Sequence, residues 1–304
     1  MLFAVGVCIL FFLLELWLCG GLNVWENRWW HVLFVICSLS ICAIAGLTGA
    51  RNRLRGSLFA DFVGETLMRV QFDERSKRIL KNLSPEHSYV IGCHPHGTHC
   101  AHMIRMSGYG SALPSWLGTQ LQVVVHFAYL FVPFLNVVYE CCGMMPNFKF
   151  AMSNVLRNGG SLALCPEGID GKWLATEQPS PTRSANEIDV LVRSSARLGF
   201  VSLAARHDAF LVPLLSVNEM QAYRVYPMRA VLGRFGFLPL VNRMEMRVGE
   251  PISTIGVDHK DWTQVAALAT RYYEAVARLA DPDFTVRLIP HVHDSPDARR
   301  KKKE

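Results

Sequence analysis

Several motifs that would assign a reaction directly are missing from this chain of 304 residues. It contains no G-x-S-x-G nucleophile elbow, no P-loop and no G-x-G-x-x-G dinucleotide fingerprint, and no internal repeat is visible. The sequence therefore gives no support for a hydrolase of the nucleophile-elbow type, a P-loop nucleotide-binding protein or a dinucleotide-dependent enzyme.

A disulfide framework is missing as well. The nine cysteines are odd in number, are scattered along the chain and include an adjacent pair, Cys141 and Cys142. Several of them lie inside apolar runs. This pattern predicts that the catalytic part of the chain faces a reducing compartment.

Charged residues are few. They make up 18% of the chain against 51% hydrophobic residues, and the mean hydropathy of +0.20 is high for a soluble enzyme. The formal net charge is +6, and the basic residues concentrate beside apolar segments and at the C-terminus. An anionic membrane surface explains this distribution better than nucleic acid does, so we expect contact with membrane lipid and none with nucleic acid.

Residues 1–50 are predicted to form a membrane hairpin. Residues 1–19 and 29–47 are apolar runs, and each is close to the ~20 residues that cross a bilayer as a helix. Arginines at 51, 53 and 55 follow the second run, so the positive-inside rule places both ends of the hairpin in the cytosol. A re-entrant hairpin is the alternative. A cleaved signal peptide is disfavoured because residues 1–19 lack a basic start.

Residues 51–289 have the composition of a globular domain, and the polar, basic residues 290–304 form a tail. Strands and helices alternate along the domain, which predicts an α/β fold with a mixed sheet flanked by helices. Predicted helices cover 73–83, 148–157, 188–206 and 262–279; predicted strands cover 89–94, 161–165, 210–217 and 244–248. The apolar run 121–138 is predicted to be buried core or an interfacial helix, and 173–186 a mobile loop.

A corner rich in histidine follows the predicted strand at 89–94. Pro95 and Gly97 prevent the chain from continuing as a strand, so His94 and His96 are presented from a stiff turn. Open α/β sheets place their chemistry at such strand ends. Two rigidly placed imidazoles suit general base catalysis, because the pKa of histidine lies near working pH.

Other uses of these histidines stay open. His99 and His102, three residues apart at the start of a predicted helix, suit local packing or hydrogen bonding. A metal site drawn from Cys93, His94, His96, His99 and His102 is a weaker alternative, because no second carboxylate or cysteine cluster to complete it is evident elsewhere. We therefore expect no metal.

Two further predicted strands end in polar residues. Glu167 follows the strand at 161–165, and Asn218 and Glu219 follow the strand at 210–217. Glu167 is expected to orient an imidazolium as the carboxylate of a triad does, with an ordinary turn carboxylate as the alternative. Cys93 is the one candidate nucleophile, but a strand cysteine pointing away from the turn is the simpler interpretation.

Several short segments, taken in order, resemble the type-2 diacylglycerol acyltransferase family, which includes monoacylglycerol and wax-ester acyltransferases. The segments are His94-Pro95-His96-Gly97, Val132-Pro133-Phe134-Leu135, Asn158-Gly159-Gly160, Arg197-Leu198-Gly199-Phe200-Val201, Leu211-Val212-Pro213, Asn218-Glu219 and Val248-Gly249-Glu250-Pro251-Ile252. The resemblance as a whole spans residues 88–253, and the N-terminal hairpin also fits. Val217-Asn218-Glu219 departs from the family's usual Phe-Gly-Glu.

A more distant similarity connects the chain to the glycerophosphate acyltransferases. Their H-x-x-x-x-D pattern fails here because position 99 is His99. Their second block, P-E-G, is present as Pro166-Glu167-Gly168, although Ile169 and Asp170 replace its Thr-Arg.

The resemblance implies a membrane-bound O-acyltransferase that esterifies a neutral lipid alcohol with acyl-CoA, most simply diacylglycerol to triacylglycerol, by direct attack of the hydroxyl on the thioester. Acyl-CoA would be a co-substrate, and no cofactor is expected. The implied catalytic residues are His94, His96 and Glu167, and the implied substrate-binding residues are Pro95, Gly97, Gly168, Asn218 and Glu219. The enzymatic alternative is acylation of a lysophospholipid or glycerol phosphate; the non-enzymatic one is a membrane-anchored metal- or lipid-binding protein.

The C-terminus resembles a dilysine retrieval signal, with Lys301 and Lys302 four and three places from the end. We therefore expect residence in the endoplasmic reticulum membrane, with the catalytic domain facing the cytosol and with contact to lipid droplets. The alternative is a basic tail held against anionic lipid.

Overall fold

The computed structural model describes residues 61–97, 100–107, 110, 113–128, 139, 142–168, 170–171, 186–192, 198–225, 231–232, 239–241, 243–280, 282 and 284–290. The predicted hairpin at 1–50, most of the predicted loop at 173–186 and the tail beyond residue 290 lie outside these ranges. Within them, no helix combines the length and the apolar character that crossing a membrane requires.

A mixed sheet of seven strands organises the described residues. Its order is β1-β10-β7-β2-β5-β3-β4, and all neighbours are parallel except β10 and β7. The strands are β1 (Val70–Phe72), β2 (Tyr89–His94), β3 (Leu121–Val125), β4 (Met144–Pro146), β5 (Ser161–Leu164), β7 (Phe210–Val217) and β10 (Met244–Val248). The predicted α/β fold with a mixed sheet flanked by helices is confirmed.

Helices cover both faces of this sheet and bury two apolar cores. The helices are α1 (Glu74–Lys81), α2 (Ala101–Ser107), α3 (Ser115–Gln120), α4 (Lys149–Arg157), α5 (Gly199–Arg206) and α6 (Trp262–Arg278), after a π-helical segment at Phe62–Leu67. One core contains residues of α1, α2 and α3, and the other contains residues of α4, α5 and α6. Asp73 caps α1 and Asp261 caps α6, each accepting a backbone N–H with its carboxylate.

Strand β2 lies at the centre of the sheet, and all of its residues are buried. It is parallel to β5 on one side and to β7 on the other, so the carboxyl ends of the three strands meet at one edge. Because each of these strands runs directly into a polar segment, that edge collects the side chains that the sequence singled out.

The predicted helix at 188–206 is wrong in its first part. Residues Glu187–Val192 form strand β6, which pairs in parallel with β11 (Thr285–Pro290), and the helix begins only at Gly199. The β-branched residues Ile188, Val190 and Val192 favour a strand, and their partner lies far along the chain. The start of the run at 121–138, predicted to be buried core or an interfacial helix, is the core strand β3. A small third sheet pairs β8 (Arg224–Val225) with β9 (Val231–Leu232).

Candidate active site

His94 ends strand β2 and is completely buried. Its Nδ1 atom lies 2.8 Å from Oε1 of Glu167, and its Nε2 atom lies 3.0 Å from the hydroxyl of Tyr272 on α6. That hydroxyl also lies 3.0 Å from the carbonyl oxygen of Gly92, and its single proton is donated to only one of these two acceptors at a time. Both ring nitrogens are therefore held, one by a carboxylate and the other by a hydroxyl.

Glu167 joins the two imidazole-bearing residues of the corner. It follows β5, is 1% exposed, and accepts the backbone N–H of His96 at 3.0 Å with its second oxygen, Oε2. Gly171 packs closely here, since a Cβ at that position would lie 2.5 Å from Oε2 of Glu167 and 2.8 Å from Cβ of His96. The ends of the two strands therefore meet, and the Glu167 carboxylate fixes both the imidazole ring of His94 and the backbone N–H of His96.

His96 lies at the partly exposed side of the corner. Its Nδ1 atom lies 2.9 Å from the carbonyl oxygen of Gly97 and 3.2 Å from Sγ of Cys100. Burial opposes the charged imidazole, but the negative charge and hydrogen bond of the adjacent Cys100 sulfur, together with the Gly97 carbonyl, outweigh it and raise the pKa of His96 to about 9. His96 is therefore an imidazolium at neutral pH.

A second histidine and carboxylate lie beside the first pair. Nδ1 of His102 is 3.0 Å from Oε2 of Glu219 in an ion-pair contact that lacks the alignment of a hydrogen bond. Oε1 of Glu219 accepts the backbone N–H of Ala101 at 2.8 Å. Burial opposes ionisation of His102, yet the Glu219 carboxylate raises its pKa above the ordinary value. Glu219 therefore fixes the start of α2 and one of its histidines.

Comparison with known proteins shows what this arrangement belongs to. A family model described as "Diacylglycerol acyltransferase" matches residues 76–229, about half of the chain. The chain belongs to the diacylglycerol acyltransferase family. It is an acyltransferase, and the resemblance seen in the sequence is confirmed.

Relatives of this acyltransferase are distant in sequence. "Acyl-CoA wax alcohol acyltransferase 1" of Homo sapiens is 25% identical over 242 residues, covering 67% of this chain and 69% of the relative. "Diacylglycerol O-acyltransferase 2" of Dictyostelium discoideum is 25% identical over 235 residues, covering 67% and 68%. A solved structure, the 1-acyl-sn-glycerophosphate acyltransferase PlsC of Thermotoga maritima, aligns with a TM-score of 0.44 and 12% identity over 82% of this chain and 97% of that chain.

The implied substrate-binding residues of the acyltransferase have varied surroundings. Pro95 follows a cis peptide bond, and Gly168 adopts φ +58° while its N–H donates to the carbonyl of Cys165. Gly97 has φ +64°, and a Cβ there would lie 2.6 Å from Cγ of Glu219. Asn218, at φ +67°, donates to the carbonyl of Arg243. Glu219 is buried and contacts protein groups, so its visible role is to position the corner.

The structure adds residues to the acyltransferase site that sequence reasoning missed. Tyr272 occupies Nε2 of His94, and Cys100 and Cys165 lie against His96 and His102. Cys100 lies within the histidine-rich segment, three residues after Gly97, and this position could have identified it as a site residue. Nothing in the sequence connects Tyr272 to the corner. Cys93 is buried, and its thiol donates a long hydrogen bond to the carbonyl of Ile91 in the same strand. Burial raises the pKa of this thiol, which makes it a poor nucleophile.

The metal alternative gains no support from the described residues. No group of three or more His, Cys, Asp or Glu side chains in that part of the acyltransferase has an arrangement that could hold a metal ion. His99, one of the proposed ligands, lies outside the described ranges.

Proposed function

We propose that this acyltransferase transfers the acyl group of acyl-CoA to the hydroxyl of a neutral lipid, with diacylglycerol as the first candidate acceptor. The family match and the printed names of the relatives support a lipid alcohol as acceptor. The observation that carries the proposal is the buried His94–Glu167 pair at the carboxyl edge of the sheet. An imidazole with Nδ1 on a carboxylate and Nε2 beside a hydroxyl has the arrangement of a general base.

His94 acts as the base in this proposal. The acceptor hydroxyl takes the place of the Tyr272 hydroxyl at Nε2, and its proton moves to Nε2 as its oxygen attacks the thioester carbonyl. The carbon–sulfur bond of the tetrahedral intermediate then breaks, and the leaving thiolate takes the proton from His94. Glu167 keeps the ring in one tautomer and stabilises its charged form through Nδ1.

His96 has a different role, because its pKa of about 9 leaves it charged at neutral pH and unsuited to accept a proton. A fixed positive charge at the partly exposed side of the corner suits the oxyanion that develops on the thioester carbonyl. Stabilisation of such an oxyanion is commonly the largest single contribution to acyl transfer. The proposal therefore assigns the role of base to His94 and the role of cation to His96.

A neutral acceptor is favoured over a phosphate-bearing one. The glycerophosphate acyltransferases carry Thr-Arg after their P-E-G block, whereas Ile169 and Asp170 stand at those positions here and Lys172 is the next cation in the sequence. Recognition of a phosphate favours arginine, whose planar guanidinium forms paired hydrogen bonds with phosphate oxygens. We therefore propose neutral lipid synthesis.

We also propose membrane association at the endoplasmic reticulum, with the catalytic domain in the cytosol. The apolar runs at 1–19 and 29–47 and the lysines at 301 and 302 support this address. Substitution of Lys301 and Lys302 by serine should release a tagged protein from the endoplasmic reticulum to later compartments. A tagged mutant that stays in the endoplasmic reticulum contradicts the proposed dilysine signal.

The experiment that tests the proposed function is a panel of acceptors supplied with labelled acyl-CoA to the purified full-length protein in lipid. Diacylglycerol, monoacylglycerol, a long-chain alcohol, a lysophospholipid and glycerol phosphate are offered separately. We expect ester formation with the neutral acceptors, led by diacylglycerol. Selective acylation of a phosphate-bearing acceptor would refute the proposal.

A further inference from the structure

Two cysteines from different elements meet beside the candidate active site. Cys100 precedes α2 and Cys165 follows β5, and their Sγ atoms lie 3.9 Å apart. Both residues are partly exposed, so small solutes have a route to them. Neither sulfur reacts in the catalytic steps proposed above, although Cys100 lies against His96, the proposed cation.

The surroundings of the two thiols differ. Sγ of Cys100 lies 3.2 Å from Nδ1 and 3.4 Å from Nε2 of His96, and Sγ of Cys165 lies 3.4 Å from Nε2 of His102. The hydrogen bond from Cys165 and then the charge of His96 hold the pKa of Cys100 well below its usual range, although burial opposes this. The same hydrogen bond and burial raise the pKa of Cys165. Cys100 is thus the more easily ionised of the two thiols, and in its neutral form it donates to the carbonyl of His96 at 3.0 Å.

We propose that Cys100 and Cys165 are a redox-active dithiol, which peroxides convert to an intramolecular disulfide that reversibly switches off the acyltransferase site. The Cys100 thiolate attacks one oxygen of the peroxide and becomes a sulfenic acid, while the other oxygen leaves as hydroxide and takes up a proton. The Cys165 sulfur then attacks the Cys100 sulfur and displaces water. Two thiols lose two electrons, and hydrogen peroxide is reduced to two waters.

Because the two sulfurs are already close, formation of the disulfide between them needs only a short movement. A disulfide bond is about 2.05 Å long, so the sulfurs approach by about 2 Å when the bond forms. Cys100 and Cys165 both lie outside the strands of the central sheet, so this movement falls on the turns that carry them. In a reducing compartment the bond is transient, as expected for a disulfide that senses oxidation.

The loss of activity on oxidation is expected from the contact between Cys100 and His96. This part of the inference rests on the proposed function. Oxidation removes the negative charge of the Cys100 sulfur, which is the first contribution that raises the pKa of His96. The pKa of His96 then falls, so a smaller fraction of its imidazole is charged at neutral pH. Its support for the oxyanion falls, so ester formation falls with it.

Mass spectrometry of the purified full-length protein tests the dithiol without any turnover. The protein is treated with hydrogen peroxide, the remaining thiols are alkylated, and the digest is compared with a sample reduced by dithiothreitol. We expect a linked pair of peptides carrying Cys100 and Cys165, absent after reduction. In Cys165→Ser, dimedone should trap a sulfenic acid at Cys100, whereas the matched control Cys142→Ser should still form the linked pair.

Two results would overturn the inference. If both Cys100 and Cys165 of the wild-type protein are still alkylated after a peroxide dose that oxidises other cysteines, the two residues are not a redox-active dithiol. If the linked pair forms but ester formation is unchanged, the disulfide does not regulate the site. Because the peptide measurement needs no acyl transfer, failure of the proposed function leaves the dithiol test intact. The expected activity result is loss on peroxide treatment and recovery with dithiothreitol in wild type and in Cys142→Ser.

Discussion

Replacement of Glu167 by glutamine tests how the site holds its base. The carboxylate accepts two hydrogen bonds, from Nδ1 of His94 at 2.8 Å and from the backbone N–H of His96 at 3.0 Å. Glutamine has one acceptor oxygen, so its amide N–H₂ must face one of these two groups. Either the ring of His94 changes tautomer or the N–H of His96 loses its acceptor.

The expected loss follows from the strength of a charge-assisted hydrogen bond, about 1.5–3 kcal/mol. This bond strengthens as His94 becomes charged, so its loss appears in the transition state. At about 1.4 kcal/mol per tenfold in rate, Glu167→Gln should lower the rate of ester formation roughly 10- to 150-fold. A change of tautomer at His94 would extend the loss toward about 10⁴-fold.

The assay is the initial rate of labelled ester formation from acyl-CoA and diacylglycerol, measured beside the unfolding midpoint Tm. Glu274→Gln is the matched control, because Glu274 is an exposed carboxylate on the helix that carries Tyr272. We expect the control to retain the wild-type rate and Tm. A Glu167→Gln protein that is folded and works within twofold of wild type would refute the role given to this carboxylate.

Three further predictions concern neighbouring groups. Tyr272→Phe removes one buried hydroxyl and leaves Nε2 of His94 free. Because a neutral hydrogen bond contributes about 1 kcal/mol, steady-state kinetics should show a rate within about tenfold of wild type. Complete loss of activity would mean that Tyr272 is a reacting group. Gly92→Ala should lower Tm and abolish activity, because its Cβ would lie 1.9 Å from the Tyr272 hydroxyl, and near-normal Tm would contradict that packing. Because the pKa of Cys100 is depressed, its thiolate persists further as pH falls below about 8.5, the ordinary thiol value. Its alkylation rate by iodoacetamide should therefore fall less between about pH 8.5 and pH 7 than the rate of an ordinary thiol, and an equally steep fall would contradict the depressed pKa.

The sequence was sufficient for the central strands and for their meeting point. The strand at 89–94, the strand at 210–217 and the corner at Glu167 are where the local pattern placed them, because buried apolar runs end abruptly at Pro, Gly or polar residues. The parallel arrangement then brings His94 and Glu167 together, although 73 positions separate them.

What the sequence could not supply depends on contacts between distant segments. Strand β6 was predicted as helix because its apolar residues also fit a helical period, and its partner β11 begins only at Thr285. Tyr272 reaches His94 across 178 positions from a helix whose other residues suggest only packing. The distance between Cys100 and Cys165 likewise depends on how β2 and β5 pair, which no local pattern encodes.

The most direct test of the central claim is ester formation by purified His94→Ala protein, compared with wild type under the same lipid, acyl-CoA and diacylglycerol concentrations. The account predicts a loss of at least about 10²-fold, the usual contribution of a positioned base, while the protein remains folded and associated with lipid. A folded His94→Ala protein that forms triacylglycerol at a near wild-type rate would contradict it.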